Sequence, residues 1–196
     1  MFRLTRNGYK PTFFVFPKNL PGLEDLEGLI AINNIFMIKI NQNLTRQVTN
    51  EAIGSPRKRK NFNMHKEAGD MLQRLINAME PGTYVHPHKH ESPDKREVFL
   101  VFTGTLLIIE FDENGVITDH IILNRQLGNF GVEIAEQTYH TIISLEKGSV
   151  AFEVKDGPYD PANDKCFAAW APAESSPGCS AYIQPTLTKL NISPLV

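Results

Sequence analysis

Cysteine is scarce in this chain. Cys166 and Cys179 are its only two among 196 residues, too few for a disulfide framework, so free thiols in a reducing compartment are expected. No apolar run approaches the roughly 20 residues of a membrane-spanning helix. The opening residues also lack the short apolar core and small-residue cleavage site of a secretory leader. These absences predict a cytoplasmic protein with no membrane partner. A dominant charge is missing as well. The formal net charge is -2, which argues against a nucleic-acid surface. The local exception is Pro56-Arg57-Lys58-Arg59-Lys60, which reads either as a solvated turn or as a contact for phosphate or an anionic sugar. No internal repeat is visible. What is present is an apolar fraction of 41%, in a length that fits one domain of about 100–150 residues plus tails.

The chain divides by pattern. Residues 1–36 hold Phe13-Phe14-Val15-Phe16, Pro17 and Pro21-Gly22 without a sustained period. They read as an N-terminal extension, either upstream of a true start at Met37 or an arm that adds an edge strand. Residues 37–80 read as a helical lead-in. Asn41 or Asn43 caps a short helix carrying Leu44, Val48 and Ile53, which Gly54-Ser55-Pro56 stops. A second helix is expected from the stripe Met71, Leu72, Leu75, Ile76 and Met79, with both methionines as core filler.

Residues 81–174 read as a barrel with its closing segment. Short strands are expected at Val98–Phe102, Leu106–Phe111, Val116–Leu123, Phe130–Ile134, Tyr139–Leu145 and Ser149–Lys155. Gly104 permits one tight connection and Asp112-Glu113-Asn114-Gly115 makes a hairpin turn. Strands at this spacing predict an antiparallel barrel or jelly roll. Residues 175–196, with Pro177-Gly178, Pro185 and Pro194, read as an extended surface arm.

The chemistry concentrates in His88, His90, Glu97 and His140. Side chains at i and i+2 of a strand share a face, so His88 and His90 point together. Glu97 opens the next apolar run after the loop Glu91–Arg96, and His140 arrives between two strand-like stretches. Three imidazoles and a carboxylate suit a divalent transition metal (Zn, Fe, Mn or Ni) and leave positions open for a ligand. The plain alternative is a set of surface or core-edge histidines with no ligand role.

The run Gly82-(5)-His88-x-His90-(6)-Glu97-(6)-Gly104 resembles the first cupin motif, and Gly131-(8)-His140 the second. Over roughly Met37–Glu174 the chain is similar to the WbuC-type cupin-fold metalloproteins. That likeness is carried by Asn61-Phe62-Asn63-Met64-His65, Pro87-His88-Lys89-His90, Phe152–Tyr159 and Asp164–Glu174, whose Gly157-Pro158-Tyr159 and Trp170-Ala171-Pro172 are its most specific parts. The resemblance implies a mainly β fold, the cupin double-stranded β-helix or jelly-roll barrel, behind a short N-terminal helical segment. It also implies a metal at His88, His90, Glu97 and His140, and a place in bacterial surface-polysaccharide (O-antigen) gene clusters. It implies no defined reaction. Ala135-Glu136-Gln137 departs from the usual Pro-x-Gly turn, placing Gln137 where positive φ is favoured.

Around this centre, His65 reads as a residue of the barrel mouth or as a capping or core histidine, and Tyr84 as a phenol of the pocket or a routine barrel residue; both are candidates for catalysis. His86 reads as a lip residue in preference to a fourth imidazole ligand, and Glu133 and Glu136 as solvated in preference to an acid or base role. Asp164-Lys165 reads as an ion pair pinning the closing segment in preference to a catalytic lysine, and Trp170 as a packing anchor. Three functions follow. One is a metal-dependent enzyme, an isomerase or epimerase, acting on a sugar or nucleotide-sugar. The second is a non-catalytic carbohydrate-binding or regulatory module. The third is an iron-dependent oxygenase. The expected partners are a small-molecule ligand and a second copy in a homodimer.

Overall fold

Asn41 starts the first helix by satisfying its free donors. Its Oδ1 accepts from the backbone N–H groups of Asn43 and Leu44 at 3.1 and 3.2 Å, and α1 runs Gln42–Gly54. Val48 and Ala52 are the buried residues of this helix, whereas Ile53, expected on the apolar face, is exposed. The computed structural model describes residues 37–174 and 176–193, so the reading of residues 1–36 and the position of Pro194 lie outside it.

After α1 come β1 (Arg59–Asn63), β2 (Leu72–Met79), β3 (His88–Lys89), β4 (Glu97–Thr103), β5 (Leu106–Phe111), β6 (Ile117–Leu123), β7 (Gly131–Ile134), β8 (Tyr139–Ser144), β9 (Ser149–Asp156) and β10 (Cys166–Phe167), then α2 (Cys179–Lys189). The strands form two five-stranded sheets, ordered β1-β2-β9-β4-β7 and β10-β3-β8-β5-β6. Every pairing is antiparallel. The protein is therefore a mainly β jelly-roll barrel, the double-stranded β-helix, preceded by a short helical segment. No helix among the described residues is long and apolar enough to cross a membrane.

Alternation along the strands sorts side chains into three clusters. Between the sheets lie Val101, Leu106, Ile108, Leu123, Ile134 and Ala151 with Met79, Val85, Phe99 and Ile142. On the outer face of the first sheet, α1 places Val48 and Ala52 against Ile76, Ala78 and Val150. On the outer face of the second, α2 places Ile183 and Leu187 against Tyr84, Leu107, Ile109 and Ile143. Each fully buried Ile or Leu contributes about 1.5–3 kcal/mol, so both helices are held by the sheet faces they cover.

Two expectations are corrected. The stripe from Met71 to Met79 is strand β2, not a helix. β2 lies inside its sheet between β1 and β9 and is buried on both faces, with Ile76 and Ala78 under α1 and Met79 in the barrel. Two-sided burial puts apolar residues at both parities and so imitates a helical stripe. Met71 is exposed at 71%, while Met79 is core at 4%. The C-terminal segment, expected to be extended, contains α2 despite Pro185. The gain from seating Ile183 and Leu187, four residues apart, on the sheet outweighs the lost backbone donor.

The connections at Gly104 and Gly115 form as expected, both with positive φ. At Gly104 a Cβ would stand 2.7 Å from Ser149 Cα, so the β4–β5 turn requires its absence as well as the φ of 74°. Gln137 adopts a φ of 58° without a glycine, held by its N–H on His90 O at 3.3 Å and its carboxamide on Asp94 at 2.8 Å.

Candidate metal centre

The two sheets supply opposite sides of one site. His88 on β3 and His140 on β8 are register partners in the second sheet, and His90 follows one residue beyond β3. Glu97 is the first residue of β4 in the first sheet. Closing the barrel brings all four together, 2–3% exposed, with one ligand atom from each lying within 4.8 Å of the others.

The protonation pattern of this cluster is decisive. His88 Nδ1 faces His86 O at 2.9 Å, His140 Nδ1 faces Thr138 O at 2.9 Å, and His90 Nδ1 faces Asp164 O. A carbonyl only accepts, so each δ nitrogen carries the proton and each ε nitrogen of a neutral ring presents a lone pair. The ε nitrogens of His90 and His140 then face the two oxygens of Glu97 at 3.0 and 3.1 Å. Burial lowers the basicity of His88 well below its ordinary value, and the charge of Lys165 pushes the same way. Burial acts to raise the Glu97 carboxyl, yet contacts from His140 and His90 and the charge of Lys155 more than offset it, so Glu97 stays ionised well below the usual range. Each of these ε nitrogen–carboxylate contacts needs a cation, either the second proton of an imidazolium, which is how the histidines lower Glu97, or a metal ion bound to both atoms. Backbone carbonyls that fix the tautomer of ligating histidines are the usual support of such a cation. The donor set fits a divalent ion with open positions.

The centre opens into a cavity of about 510 Å³ lined by both sheets, within the size range of small-molecule sites. Its wall near the donors is polar. Asn61 and Asn63 of β1, Gln73 and Asn77 of β2, and Glu153 and Lys155 of β9 line it, with Phe99 and Ile142 marking the change to the apolar core.

The remaining expectations separate here. His65 lies on the cavity wall, where its Nδ1 accepts from the Arg74 backbone N–H at 3.2 Å. Tyr84 does not line the cavity. It belongs to the cluster under α2 and donates its hydroxyl to Pro172 O at 2.7 Å, and burial pushes its phenol up, away from proton transfer near neutral pH. Tyr84→Phe is therefore expected to leave metal content unchanged while costing about 1–2 kcal/mol in urea unfolding, one buried hydrogen bond; a metal-free variant would return Tyr84 to the site. His86 stacks on Phe167 at 4.8 Å and faces Ala168 O with its Nε2 at 3.0 Å, apart from the donors. Glu133 and Glu136 are exposed. Trp170 packs on Phe111 with ring centres 5.0 Å apart.

The expected Asp164–Lys165 pair is not formed. Asp164 instead binds Lys95 at 2.7 Å and Lys155 at 2.8 Å, and Lys165 turns to His88 Nε2 at 3.0 Å. Lys95 and Lys155 take one oxygen each of the Asp164 carboxylate, which leaves Lys165 to another partner.

Sequence reasoning also missed Glu153 and Lys155. Ala151, Glu153 and Lys155 share the inward parity of β9, and two charges at inward positions of an interior strand are the signal that reveals them. Asn77 Nδ2 donates to Glu153. Burial, then the charge of Glu97, raises Glu153 to about 7, with Lys155, Lys165 and His140 opposing.

A family model described as Domain of unknown function (DUF6016) matches residues 40–123. No curated protein matches the chain. Among solved structures it is similar to KdgF from Halomonas sp., at 15% identity and a TM-score of 0.42 over 55% of this chain and 86% of that one. It is similar to the ligand-free L-ribose isomerase of Cellulomonas parahominis, at 14% identity and a TM-score of 0.46 over 57% and 69%. It is also similar to the cupin domain of Schizosaccharomyces pombe Cnp3, at 15% identity and a TM-score of 0.39 over 50% and 64%, so it spans less than two thirds of that chain. Fold and site together define a double-stranded β-helix barrel with a buried cluster that could hold a metal ion.

Proposed function

We propose that this protein is a metal-dependent enzyme acting on a small polyhydroxylated molecule, a sugar or nucleotide-sugar, by moving a proton at a carbon beside a carbonyl. The observation that supports the metal is the set of three δ nitrogens tied to backbone carbonyls, which leaves the three ε nitrogens to join Glu97 as ligands, one ligand atom of each residue lying within 4.8 Å of the others. A divalent ion held there supplies Lewis-acid polarisation of a substrate oxygen. The polar wall supports the substrate class, because the carboxamides of Asn61, Asn63 and Asn77 offer donors and acceptors together, as hydroxyl groups require.

Glu153 is the group best placed to take and return the proton. Its carboxyl faces the cavity, a single amide fixes it, and a value of about 7 lets it act in either direction near neutral pH. His65, on the same wall, is the second candidate. The resemblance in Trp170-Ala171-Pro172 and its neighbours supports a place in bacterial surface-polysaccharide synthesis. A homodimer paired through edge strands fits a barrel of this kind, and light scattering on the eluting species tests it.

Elemental analysis of untagged protein purified without added metal is the first test, with about one equivalent of a transition ion expected. Proton NMR in D2O over a panel of aldoses and ketoses then follows exchange at the carbon beside the carbonyl. The wild type is expected to exchange one of them. Glu153→Gln keeps its metal and slows the exchange by at least about 10²-fold. Sugar binding without exchange by the wild type would instead identify a binding module. Absence of metal would remove the proposal.

A further inference from the structure

The charges around the cavity do not balance, and the surplus is positive. Arg57 and Arg59 share the single carboxylate of Glu174, at 2.8 and 2.6 Å. Lys95 and Lys155 share that of Asp164. Lys165 has no carboxylate within 4 Å among the described residues, and the recorded partner of its ammonium is the His88 ring nitrogen. Against these five basic groups stand Glu174, Asp164, Glu97 and Glu153; burial raises Glu153 to about 7 and also lowers the basicity of Lys165. A divalent ion on the four donors would widen the excess.

The least satisfied of these cations is also the most central. Lys165 Nζ lies 3.0 Å from His88 Nε2, the atom that faces the metal position, and Lys165 lines the cavity. The residue is exposed and lines the cavity, with its ammonium beside the buried His88, so a ligand in the cavity reaches it. Three features therefore coincide: a cation with no carboxylate, access from the cavity, and contact with the candidate centre. A cation beside a buried cluster and without a carboxylate among the described residues is one that an anionic ligand in the cavity can pair with. The basic run Arg57–Lys60 adds to the same field, because Arg57 and Arg59 line the cavity.

We infer that the ligand of this cavity carries an oxyanion, a carboxylate or a phosphate, that binds Lys165 next to the candidate metal centre. This deepens the reading above and rests on its cavity, narrowing the substrate class from sugars in general to acidic sugars. It gives Lys165 the task of discriminating charged from neutral ligands, with the arginines at the wall drawing the anion in.

Titration calorimetry with D-glucose, D-glucuronate and D-glucose 6-phosphate tests this on metal-loaded and metal-stripped full-length protein. At least one acidic sugar is expected to bind about tenfold or more tighter than glucose, an advantage that shrinks with added salt. Lys165→Met should remove that advantage and Lys165→Arg should keep most of it, with circular dichroism confirming that both fold. Whether glucuronate or the phosphate gains more identifies the oxyanion. Equal affinity for neutral and acidic sugars, no measurable binding of either acidic sugar, or an advantage that survives Lys165→Met would each overturn the inference. Metal content measured on the same samples separates the two readings. Charge preference in a protein that takes up no metal leaves this subsite standing alone, and full metal loading without preference does the reverse.

Discussion

Glu97→Ala is expected to empty the metal site while leaving the barrel folded. The carboxylate is the only anionic donor in the cluster, and both of its oxygens face ε nitrogens, those of His90 and His140. Removing a group that merely supports a ligand costs about 10–100-fold in metal affinity, so losing this oxygen donor should cost more than 100-fold. The fold should survive. Glu97 stands at the end of β4, and Lys155, 3.5 Å from it, keeps the closer partner Asp164. Thermal unfolding with and without metal gives the readout, because an ion that binds only the folded state raises Tm by mass action. The wild type should gain Tm on addition of metal and lose it in EDTA; the variant should respond to neither. A variant that still purifies with one equivalent of metal would show that the four donors are not the ligands.

How much of this was legible in the sequence depended on the range of the interaction. His88 and His90 follow from strand parity, and Glu97 and His140 from the apolar runs beside them, so the four donors could be chosen before any coordinates. The strands from β4 to β9 lie within a residue or two of their expected bounds because hairpin connections punctuate them with Gly104 and Gly115. β2 was misread because its burial comes from two partners, α1 outside and the barrel inside, neither adjacent in sequence. α2 was missed because the face of the second sheet, not intrinsic propensity, holds Ile183 and Leu187. The charged wall was hidden for the same reason. Lys155 meets Glu97 through the β9–β4 register, Glu153 meets Asn77 from β9 to its other neighbour β2, and Asp164 meets Lys95 across 69 residues. Local pattern names which residues face inward; only the pairing of strands says what they face.

That buried charge network gives the largest expected loss of stability. Asp164→Asn keeps the shape of the side chain but leaves Lys95 and Lys155, with side chains 1% and 7% exposed, sharing no carboxylate. Breaking a buried pair from one side costs about 3–5 kcal/mol, because the stranded charge cannot recover its hydration. Here two ammonium groups are affected, and Lys95 retains only Pro158 O at 2.7 Å while Lys155 falls back on Glu97. A drop in Tm of roughly 10 °C is expected for a domain of this size. Additional replacement of both lysines by methionine should restore much of it, since removing the whole network also removes the uncompensated charges. The pH dependence has a definite sign. Burial tends to raise the Asp164 carboxyl, but the charge of Lys155 and the hydrogen bonds from Lys155 and Lys95 outweigh it and hold the group below its ordinary value of 3.8. The unfolded chain therefore binds this proton first as pH falls, so the contribution is fully present above about pH 4 and fades as pH drops through the folded value. Urea unfolding of wild type and Asp164→Asn at a series of pH values isolates this group from other acids. Their difference should be large and flat near neutrality and should narrow below about pH 4. A difference that stays constant into acid would show that Asp164 stabilises the fold by shape and not by charge.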